Sequence, residues 1–309
     1  MIPNIFGLDP QVILIAIAVG MFIWLTLYRL DKTGIGDKFV NKLIVIVIIS
    51  ATTLIMGMIF FDCFWHAVDN NYFQKLPNTL KEYGLIDALF SDYKPDENGP
   101  SIGFFKQGGM TFLGALYGAF FGYIISYWFI FKHERSKIIH YLNIILPGLI
   151  LAHGLGRIGC FLSGCCTGIK APFPLGFKFP YAPDPANPSA SYIDPRTNDV
   201  IPANLYEAIF LIGLFFVLFF ALKKNQTKVY MVSYGTFRFL LEFLRGDSRG
   251  AVPILRHIPF LNWISPSQFL SLILIIVGIL LFIFEEKLCN YLKKWDRPII
   301  KKTKQASEN

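Results

Sequence analysis

The stretch that decides the fold is FLSLILIIVGILLFIF, residues 269–284, which contains no charged side chain. A helix that crosses the hydrocarbon of a bilayer needs about 20 mostly apolar residues. Six more apolar runs precede it, at about residues 12–27, 43–61, 110–131, 141–155, 205–222 and 229–244. The sequence therefore predicts an all-α integral membrane protein with seven transmembrane helices.

The composition agrees with a membrane protein. Of the 309 residues, 54% are hydrophobic, only 16% are charged, and 31 are Phe. Such a chain is too apolar for an ordinary soluble domain, and runs of this length favour spanning helices over the short alternating strands of a β-barrel. The runs at 141–155 and 229–244 are interrupted by Gly or by a charge, as in helices that line a polar cavity.

Basic residues predict the orientation of the helices, because they collect on the cytoplasmic side of a membrane. One side of the predicted bundle receives Arg29, Lys32, Lys38, Lys42, Lys132, Arg135, Lys137, Lys223, Lys224, Lys228, Lys287, Lys293, Lys294, Arg297, Lys301, Lys302 and Lys304. We therefore expect the N-terminus outside and the C-terminus in the cytoplasm. The chain is expected to form a single polytopic domain, residues 1–309, with the long segments 62–109 and 156–204 on the outer face.

The formal net charge of +8 could indicate a nucleic-acid partner. The basic residues are instead spread over short loops and the tail, without an interleaved aromatic sheet or a groove motif. Membrane lipid explains the charge better, and no nucleic acid is expected. The basic cytoplasmic tail, residues 286–309, is predicted to include an amphipathic helix that rests on the inner leaflet.

The sixth apolar run carries a polar stripe. Tyr234, Arg238, Glu242 and Arg245 follow one another at spacings of four, four and three, which places them on one helical face. A guanidinium group inside a spanning helix is costly, so this face must look into the bundle or into water. An Arg238–Glu242 ion pair that only stabilises packing is the simpler interpretation, and the second arginine weakens it.

Another arginine follows the fourth run, within HGLGRIGCFLSGCCTG at residues 153–168. Arg157 lies between Gly156 and Gly159, and the stretch ends at Gly168. Dense glycine lets backbones approach closely and exposes amide N–H groups, which together with an arginine suit a phosphate or another anion. Glycine spacing also serves helix packing, and the arginine favours the anion site.

The same stretch holds Cys160, Cys165 and Cys166, near His153. Their spacing fits no zinc template, so no metal is expected. We interpret the cysteines as packing residues or as half of a disulfide. His66, at the end of the second run, is an interfacial residue or a reserve candidate for a general base.

The fifth run opens with Pro202-Ala203-Asn204-Leu205-Tyr206-Glu207. The proline starts a helix, and the polar groups of Asn204, Tyr206 and Glu207 face the outer interface. Because an unpaired carboxylate in a membrane is costly, we predict an arginine partner for Glu207. An exposed interfacial cap is the alternative.

These segments resemble the prolipoprotein diacylglyceryl transferases. GRIGCFLSG at residues 156–164, followed by Gly168, is similar to the family signature. The segments at 202–207, 234–238 with 242–245, and 267–271 are similar to three further family motifs, in family order. The resemblance covers residues 105–285 and is thinner before them.

The resemblance implies a seven-helix enzyme of the bacterial inner membrane whose active site faces outward. It implies transfer of the diacylglyceryl group of phosphatidylglycerol to the lipobox cysteine of a preprolipoprotein, without a cofactor. Carried over by motif, the catalytic residues are Arg157, Arg238, Tyr234 and Glu207, and the substrate-binding residues are Gly156, Gly159, Gly168, Tyr206, Asn204, Glu242 and Arg245.

The chain departs from the family pattern at several positions. Leu113 and Ile201 stand where many members have His, and Cys160 stands where the signature has Asn. No general base can be assigned from the sequence. Two alternatives therefore remain: a paralogue that transfers a phosphatidylglycerol-derived group to another acceptor, and a non-enzymatic lipid- or anion-binding membrane protein.

Overall fold

The structure is a computed structural model. It describes residues 10–33, 37–69, 112–164, 167–179, 198–246 and 261–296, together with isolated positions between 74 and 89. The described part of the chain is helical and contains no strand, only three isolated backbone bridges.

Seven α-helices lie within the described ranges. They are α1 (Pro10–Asp31), α2 (Asp37–Asp69), α3 (Phe112–Ile130), α4 (Ile138–Leu162), α5 (Ala203–Phe216), α6 (Gln226–Leu241) and α7 (Pro266–Lys293). A π-helical turn at Val217–Ala221 extends α5, and a 3-10 turn at Glu242–Leu244 follows α6. Each helix overlaps one of the seven predicted runs.

Four of the described helical segments are long and apolar enough to cross a membrane: Val12–Asp31, Arg135–Leu162, Ala203–Ala221 and Pro266–Lys293. Shorter apolar segments occupy Ile44–Gly57 of α2 and Ala115–Ile130 of α3. Large apolar side chains face outward around the bundle, including Trp24, Met56, Phe129, Phe220 and Ile283. The chain is a multi-pass membrane protein, and the prediction of an all-helical membrane fold is confirmed.

The helices pack in neighbouring pairs, chiefly α1 with α4, α2 with α3, α4 with α5 and α6 with α7. Glycine allows the closest approach: a Cβ atom built on Gly118 of α3 lies 2.9 Å from the Cα of Gly57 in α2. Between the helices, Leu25, Leu146, Ile150, Leu211 and Leu274 belong to one buried apolar cluster.

One end of the bundle is tied together by charged groups. The Arg29 guanidinium donates to the Oε1 of Gln226 at 3.0 Å, and the buried Lys228 forms an ion pair with Glu285 of α7. The backbone N–H of Arg135 donates to the Oδ1 of Asp296 at 2.6 Å. These residues belong to the side that the basic residues predict to be cytoplasmic.

The last helix is longer than the hydrocarbon core of a bilayer is thick. Its 28 residues span about 42 Å, against a hydrocarbon thickness of about 30 Å. Residues 287–293 belong to the same continuous helix, and the contact of the amphipathic tail with the inner leaflet stays a prediction. The remainder of the tail, residues 297–309, lies outside the described residues.

Both ends of the fourth helix differ from the predicted run at residues 141–155. The fourth helix begins at Ile138 and continues to Leu162, so residues 156–162, the first part of the predicted outer segment 156–204, are helical. Packing of Gly154 against Leu211 and Ile212 of α5 stabilises this glycine-containing turn despite its low helix propensity. The other predicted outer segment spans residues 62–109. Residues 62–69 belong to α2, and beyond them only isolated positions are described.

Candidate functional site

A buried carboxylate lies at the centre of the candidate site. Glu207 is in the second turn of α5 and is 1% exposed. Its Oε2 is 3.1 Å from the Nε of Arg157 on α4, and its Oε1 accepts a hydrogen bond of 2.9 Å from the hydroxyl of Tyr234 on α6. Three helices thus meet at one side chain, and the predicted arginine partner of Glu207 is confirmed. The alternative of an exposed cap is wrong.

His153 also contacts this carboxylate. It precedes Arg157 by four residues, so the two side chains share a face of α4. Its Nε2 is 3.6 Å from the Oε1 of Glu207, and its ring lies edge-on to the ring of Tyr234, with centroids 5.4 Å apart. Tyr230 stacks in parallel on Tyr234. The cysteine pattern places His153 only beside a possible metal site, and the i, i+4 spacing from Arg157 is the signal that indicates its place next to Glu207.

The second arginine lies on the same face of α6 as Tyr234. Arg238 is 2% exposed, and its Nη1 is 2.7 Å from the Oε2 of Glu242. The other carboxylate oxygen of Glu242 accepts a hydrogen bond of 2.9 Å from the hydroxyl of Ser265. Because Ser265 is the N-cap of α7, the Arg238–Glu242 pair joins α6 to the start of α7.

The two pairs belong to one electrostatic cluster. Tyr234 links the two pairs, since its hydroxyl donates to Glu207 and it lies one turn before Arg238 on α6. With Glu242, the cluster contains two guanidinium groups and two carboxylates. The Nε of Arg157 and the Nη1 of Arg238 face the two carboxylates, and a guanidinium is a planar group of N–H donors that also pairs with other oxyanions. This arrangement is suited to binding an oxyanion through several charge-assisted hydrogen bonds.

The outer rim of the site is a short backbone ladder. Gly168 pairs with Arg245 in an antiparallel bridge, and its N–H donates to the carbonyl of Ile201 at 2.7 Å. The N–H of Ile169 donates to the carbonyl of Leu244 at 3.0 Å. The ladder therefore connects the ends of α4 and α6 to the beginning of α5.

The ladder changes the predicted role of two residues. Arg245 is extended, with φ −80° and ψ 143°, so it does not continue the helical stripe of Tyr234 and Arg238. The helix ends at Leu241 because the chain then turns to pair with the signature loop (residues 167–179), which follows the family signature. Gly168 is required by close packing, since a Cβ atom there lies 2.7 Å from the Cβ of Ile201.

The other predicted binding residues are distributed around this centre. Gly159 is buried in α4, whereas a Cβ atom built on Gly156 meets no atom of the described residues within 4 Å. Asn204 is buried, and its Oδ1 accepts from the backbone N–H of Leu205. Tyr206 points away from the carboxylate cluster, and its hydroxyl donates to the carbonyl of Leu175 at 2.8 Å.

The cysteines and the candidate positions for a general base lie partly within and partly outside the described residues. Cys160 is half-buried in α4 and forms no disulfide with another described cysteine, and Cys165 and Cys166 lie outside the described residues. The side chains of His66 and Leu113 also lie outside them. Ile201, where many family members have His, is buried and belongs to the backbone ladder.

Comparison with known sequences identifies the family. The sequence model of the family described as prolipoprotein diacylglyceryl transferase matches residues 11–284. The chain belongs to the prolipoprotein diacylglyceryl transferase family. The resemblance deduced from four motifs is confirmed, and so is the expectation that the protein is a transferase.

Two clostridial members of the family illustrate the similarity. The phosphatidylglycerol–prolipoprotein diacylglyceryl transferase of Clostridium tetani (strain Massachusetts / E88) is 36% identical over 204 residues, which are 64% of this chain and 73% of the relative. Enzyme 2 of that name from Clostridium perfringens (strain 13 / Type A) is 32% identical over 204 residues, which are 64% of this chain and 72% of the relative.

Proposed function

We propose that this prolipoprotein diacylglyceryl transferase moves the diacylglyceryl group of phosphatidylglycerol to the lipobox cysteine thiol of a preprolipoprotein, the first step of lipoprotein maturation. The observation that carries the proposal is the cluster of Arg157, Glu207, Tyr234 and Arg238 inside a membrane protein of this family. Buried arginines of this kind are costly and are characteristic of functional sites within membranes.

The proposed reaction breaks the bond between the glyceryl carbon of diacylglycerol and its phosphate oxygen. A C–S bond forms between that carbon and the cysteine, and glycerol 1-phosphate leaves with the electron pair of the broken bond. The thiol proton passes to water. The net exchange is one thioether formed for one phosphate ester cleaved.

In this mechanism Arg157 and Arg238 bind the phosphate. A guanidinium pairs with phosphate oxygens through two parallel N–H donors, and it stabilises the charge that grows on the leaving phosphate. Glu207 and Glu242 hold the two guanidinium groups in position, and the Tyr234 hydroxyl fixes the orientation of the Glu207 carboxylate. Gly156 leaves space beside Arg157 for the headgroup.

A lipidation assay in membranes tests the assignment of the arginines. We expect Arg157→Ala and Arg238→Ala each to reduce transfer by about 100-fold or more, because each removes a charge from the leaving phosphate. Arg135→Ala is the matched control: Arg135 is a buried arginine at the opposite end of the bundle, bonded to the carbonyls of Trp128 and Trp295. Near-normal transfer by both site variants would remove the arginines from the mechanism.

A genetic test addresses the acceptor. The intact protein should restore growth and lipoprotein modification in a strain that lacks its own diacylglyceryl transferase. Mass spectrometry of the lipoproteins identifies the group attached to the lipobox cysteine. Unmodified lipoproteins beside consumed phosphatidylglycerol would favour a different acceptor.

The membrane arrangement is part of the proposal. Seven spans, an outer N-terminus, a cytoplasmic C-terminus and a site that faces outward from the bacterial inner membrane agree with the basic residues at one end of the bundle. We propose a single polytopic domain over residues 1–309. Reporter fusions that are active only in the cytoplasm should give signal after residue 296 and none after residue 164.

A further inference from the structure

The signature loop carries an exposed apolar tip that the proposed reaction does not use. Residues 172–175, Pro-Phe-Pro-Leu, form a turn in which Phe173 is 81% exposed and Leu175 is 59% exposed. Two residues further along, Phe177 packs inward against Phe161 of α4 and against Phe179. The loop therefore separates an inward aromatic cluster from an outward apolar tip.

The turn is held in place by several contacts. The N–H groups of Leu175 and Gly176 both donate to the carbonyl of Pro172 at 3.1 Å, and the N–H of Ala171 donates to Asp199. Gly176 has no room for a side chain, because a Cβ atom there lies 3.1 Å from the backbone carbon of Val200. The exposure of Phe173 and Leu175 is thus a property of a fixed turn.

Tyr206 locates the tip relative to the membrane. Its hydroxyl donates to the carbonyl of Leu175, and its side chain extends from the first turn of α5. The face of α5 that begins at Tyr206 continues through the exposed residues Ile209, Gly213, Phe216 and Phe220 at helical spacing. This face is apolar and exposed, as in a helix that contacts lipid. The tip consequently stands at the outer end of a lipid-facing stripe.

The flanks of the tip are basic. Lys170 and Lys178 are both exposed, on either side of the turn. Tyrosine hydroxyls and lysine ammonium groups commonly lie at the headgroup level of a bilayer, with apolar side chains just beneath them. From the fixed turn, the lipid-facing stripe and the flanking charges, we propose that residues 170–178 form an interfacial lipid contact, in which Phe173 and Leu175 insert below the headgroups and the two lysines bind anionic phosphates.

The partner in this proposal is anionic phospholipid of the outer-facing leaflet. The surface is joined to the candidate site through Gly168, which links the same loop to Arg245. The backbone ladder of Gly168 and Arg245 borders the arginine cluster. Anionic lipid held at the tip therefore lies beside this ladder. The proposal rests on the exposed loop and does not depend on the acceptor or on the reaction.

Photo-crosslinking in the full-length protein tests the contact. The protein carries p-benzoylphenylalanine at position 173, is reconstituted in vesicles of phosphatidylethanolamine and phosphatidylglycerol, irradiated, and analysed by intact mass. We expect lipid adducts at position 173 and at the lipid-facing position 220, and none at position 177, whose side chain packs inward. If the probe perturbs position 173, position 175 provides a second site in the same turn.

The charge of the partner is tested in the same vesicles. Adducts at position 173 should be enriched in phosphatidylglycerol at least five-fold relative to those at position 216, since each of the two lysines at the tip contributes a preference of about five-fold. Position 216 belongs to the same lipid-facing stripe and is one turn farther than position 220 from Lys223 and Lys224. Lys170→Gln with Lys178→Gln should abolish the enrichment. A parallel sample contains a lipobox peptide as competitor. Lipid adducts at position 220 without any at positions 173 and 175 would overturn the proposal, and so would peptide adducts in place of lipid adducts at the tip in that sample.

Discussion

The Nε of Arg157 lies 3.1 Å from the Oε2 of Glu207, and both side chains are almost completely buried. The two residues are 50 positions apart in the sequence and belong to α4 and α5. Isolated charges in a membrane interior are unfavourable, so each side chain makes the burial of the other possible. The pair explains how an arginine is retained at the site and why its guanidinium has one orientation.

Removing the charge of Glu207 should damage both stability and activity. Glu207→Gln keeps an oxygen for the Tyr234 hydroxyl but leaves Arg157 without its carboxylate. Breaking a buried pair in this way costs about 3 kcal/mol or more. We expect a lower unfolding temperature in detergent and a loss of transfer by about two orders of magnitude.

Glu134→Gln is the matched control for this variant. Glu134 also accepts from a tyrosine, Tyr141, and pairs with Lys137 at 3.2 Å, but it lies half-exposed at the other end of the bundle. An exposed pair contributes at most about 1 kcal/mol. Equal effects of the two substitutions on stability and transfer would contradict the special role of the buried carboxylate.

The hydroxyl of Tyr234 should contribute more to the rate of transfer than its ring does. Tyr234→Phe retains the stacking on Tyr230 and the edge contact with His153, and it removes only the hydrogen bond to Glu207. A hydrogen bond to a charged group contributes about 1.5–3 kcal/mol, so we expect at least a ten-fold fall in kcat with a small change in KM. Kinetics with phosphatidylglycerol vesicles measure the two separately.

Tyr123→Phe serves as the control for the tyrosine prediction. The Tyr123 hydroxyl donates to the carbonyl of Ile138 at 2.8 Å, at the opposite end of the bundle. This substitution removes a comparable buried hydrogen bond from a region distant from the arginines. A fall in kcat as large as that of Tyr234→Phe would show that general loosening of the bundle is responsible.

The two signature glycines should respond differently to alanine. At Gly168 the new Cβ atom meets the backbone of Ile201 at 2.9 Å, so Gly168→Ala should break the ladder to Leu244 and lower thermal stability. At Gly156 no described residue occupies the space, and alanine favours a helix over glycine by about 1 kcal/mol. We expect Gly156→Ala to be as stable as the wild type and to bind lipid substrate less well, with a raised KM. A normal KM in a stable Gly156→Ala protein would exclude this space from the headgroup site.

The sequence could predict much of this site because burial of charge is so costly. The partnership of Glu207 with an arginine followed from its place in an apolar run, and the Tyr234–Arg238 face followed from helical spacing. The choice of Arg157 as the partner depends on how α4 packs on α5, which no local pattern contains. For Arg245, the four-four-three spacing suggested a continuous stripe, but long-range pairing with Gly168 ends the helix first.

Local composition likewise misplaced the end of α4. The apolar run stops near residue 155, where glycine and arginine begin, and helix propensity falls at each glycine. The helix nevertheless continues to Leu162, because Gly154 packs closely on α5 and Arg157 finds its carboxylate there. Tertiary contacts therefore extend the helix beyond the residues that favour it locally.

Ser265 should act on the reaction through Arg238. Its hydroxyl donates to Glu242, and it also accepts from the N–H of Gln268 as the N-cap of α7. Ser265→Ala removes both contacts, and loss of an N-cap costs about 1 kcal/mol. Because Glu242 then loses the hydrogen bond from the last helix, the Arg238 guanidinium is held less firmly, and we expect kcat to fall several-fold beyond what the stability change explains.

Two further variants separate the positioning effect of Ser265 from the loss of the cap. Ser265→Thr restores both hydrogen bonds and should recover kcat, whereas Ser126→Ala removes a buried hydroxyl bonded only within α3 among the described contacts and should leave kcat unchanged. If Ser265→Ala lowers the unfolding temperature while kcat stays at the wild-type value, Ser265 only caps α7. In that case Glu242 holds Arg238 without help from the last helix, and the hydrogen bond between α6 and α7 contributes to stability alone.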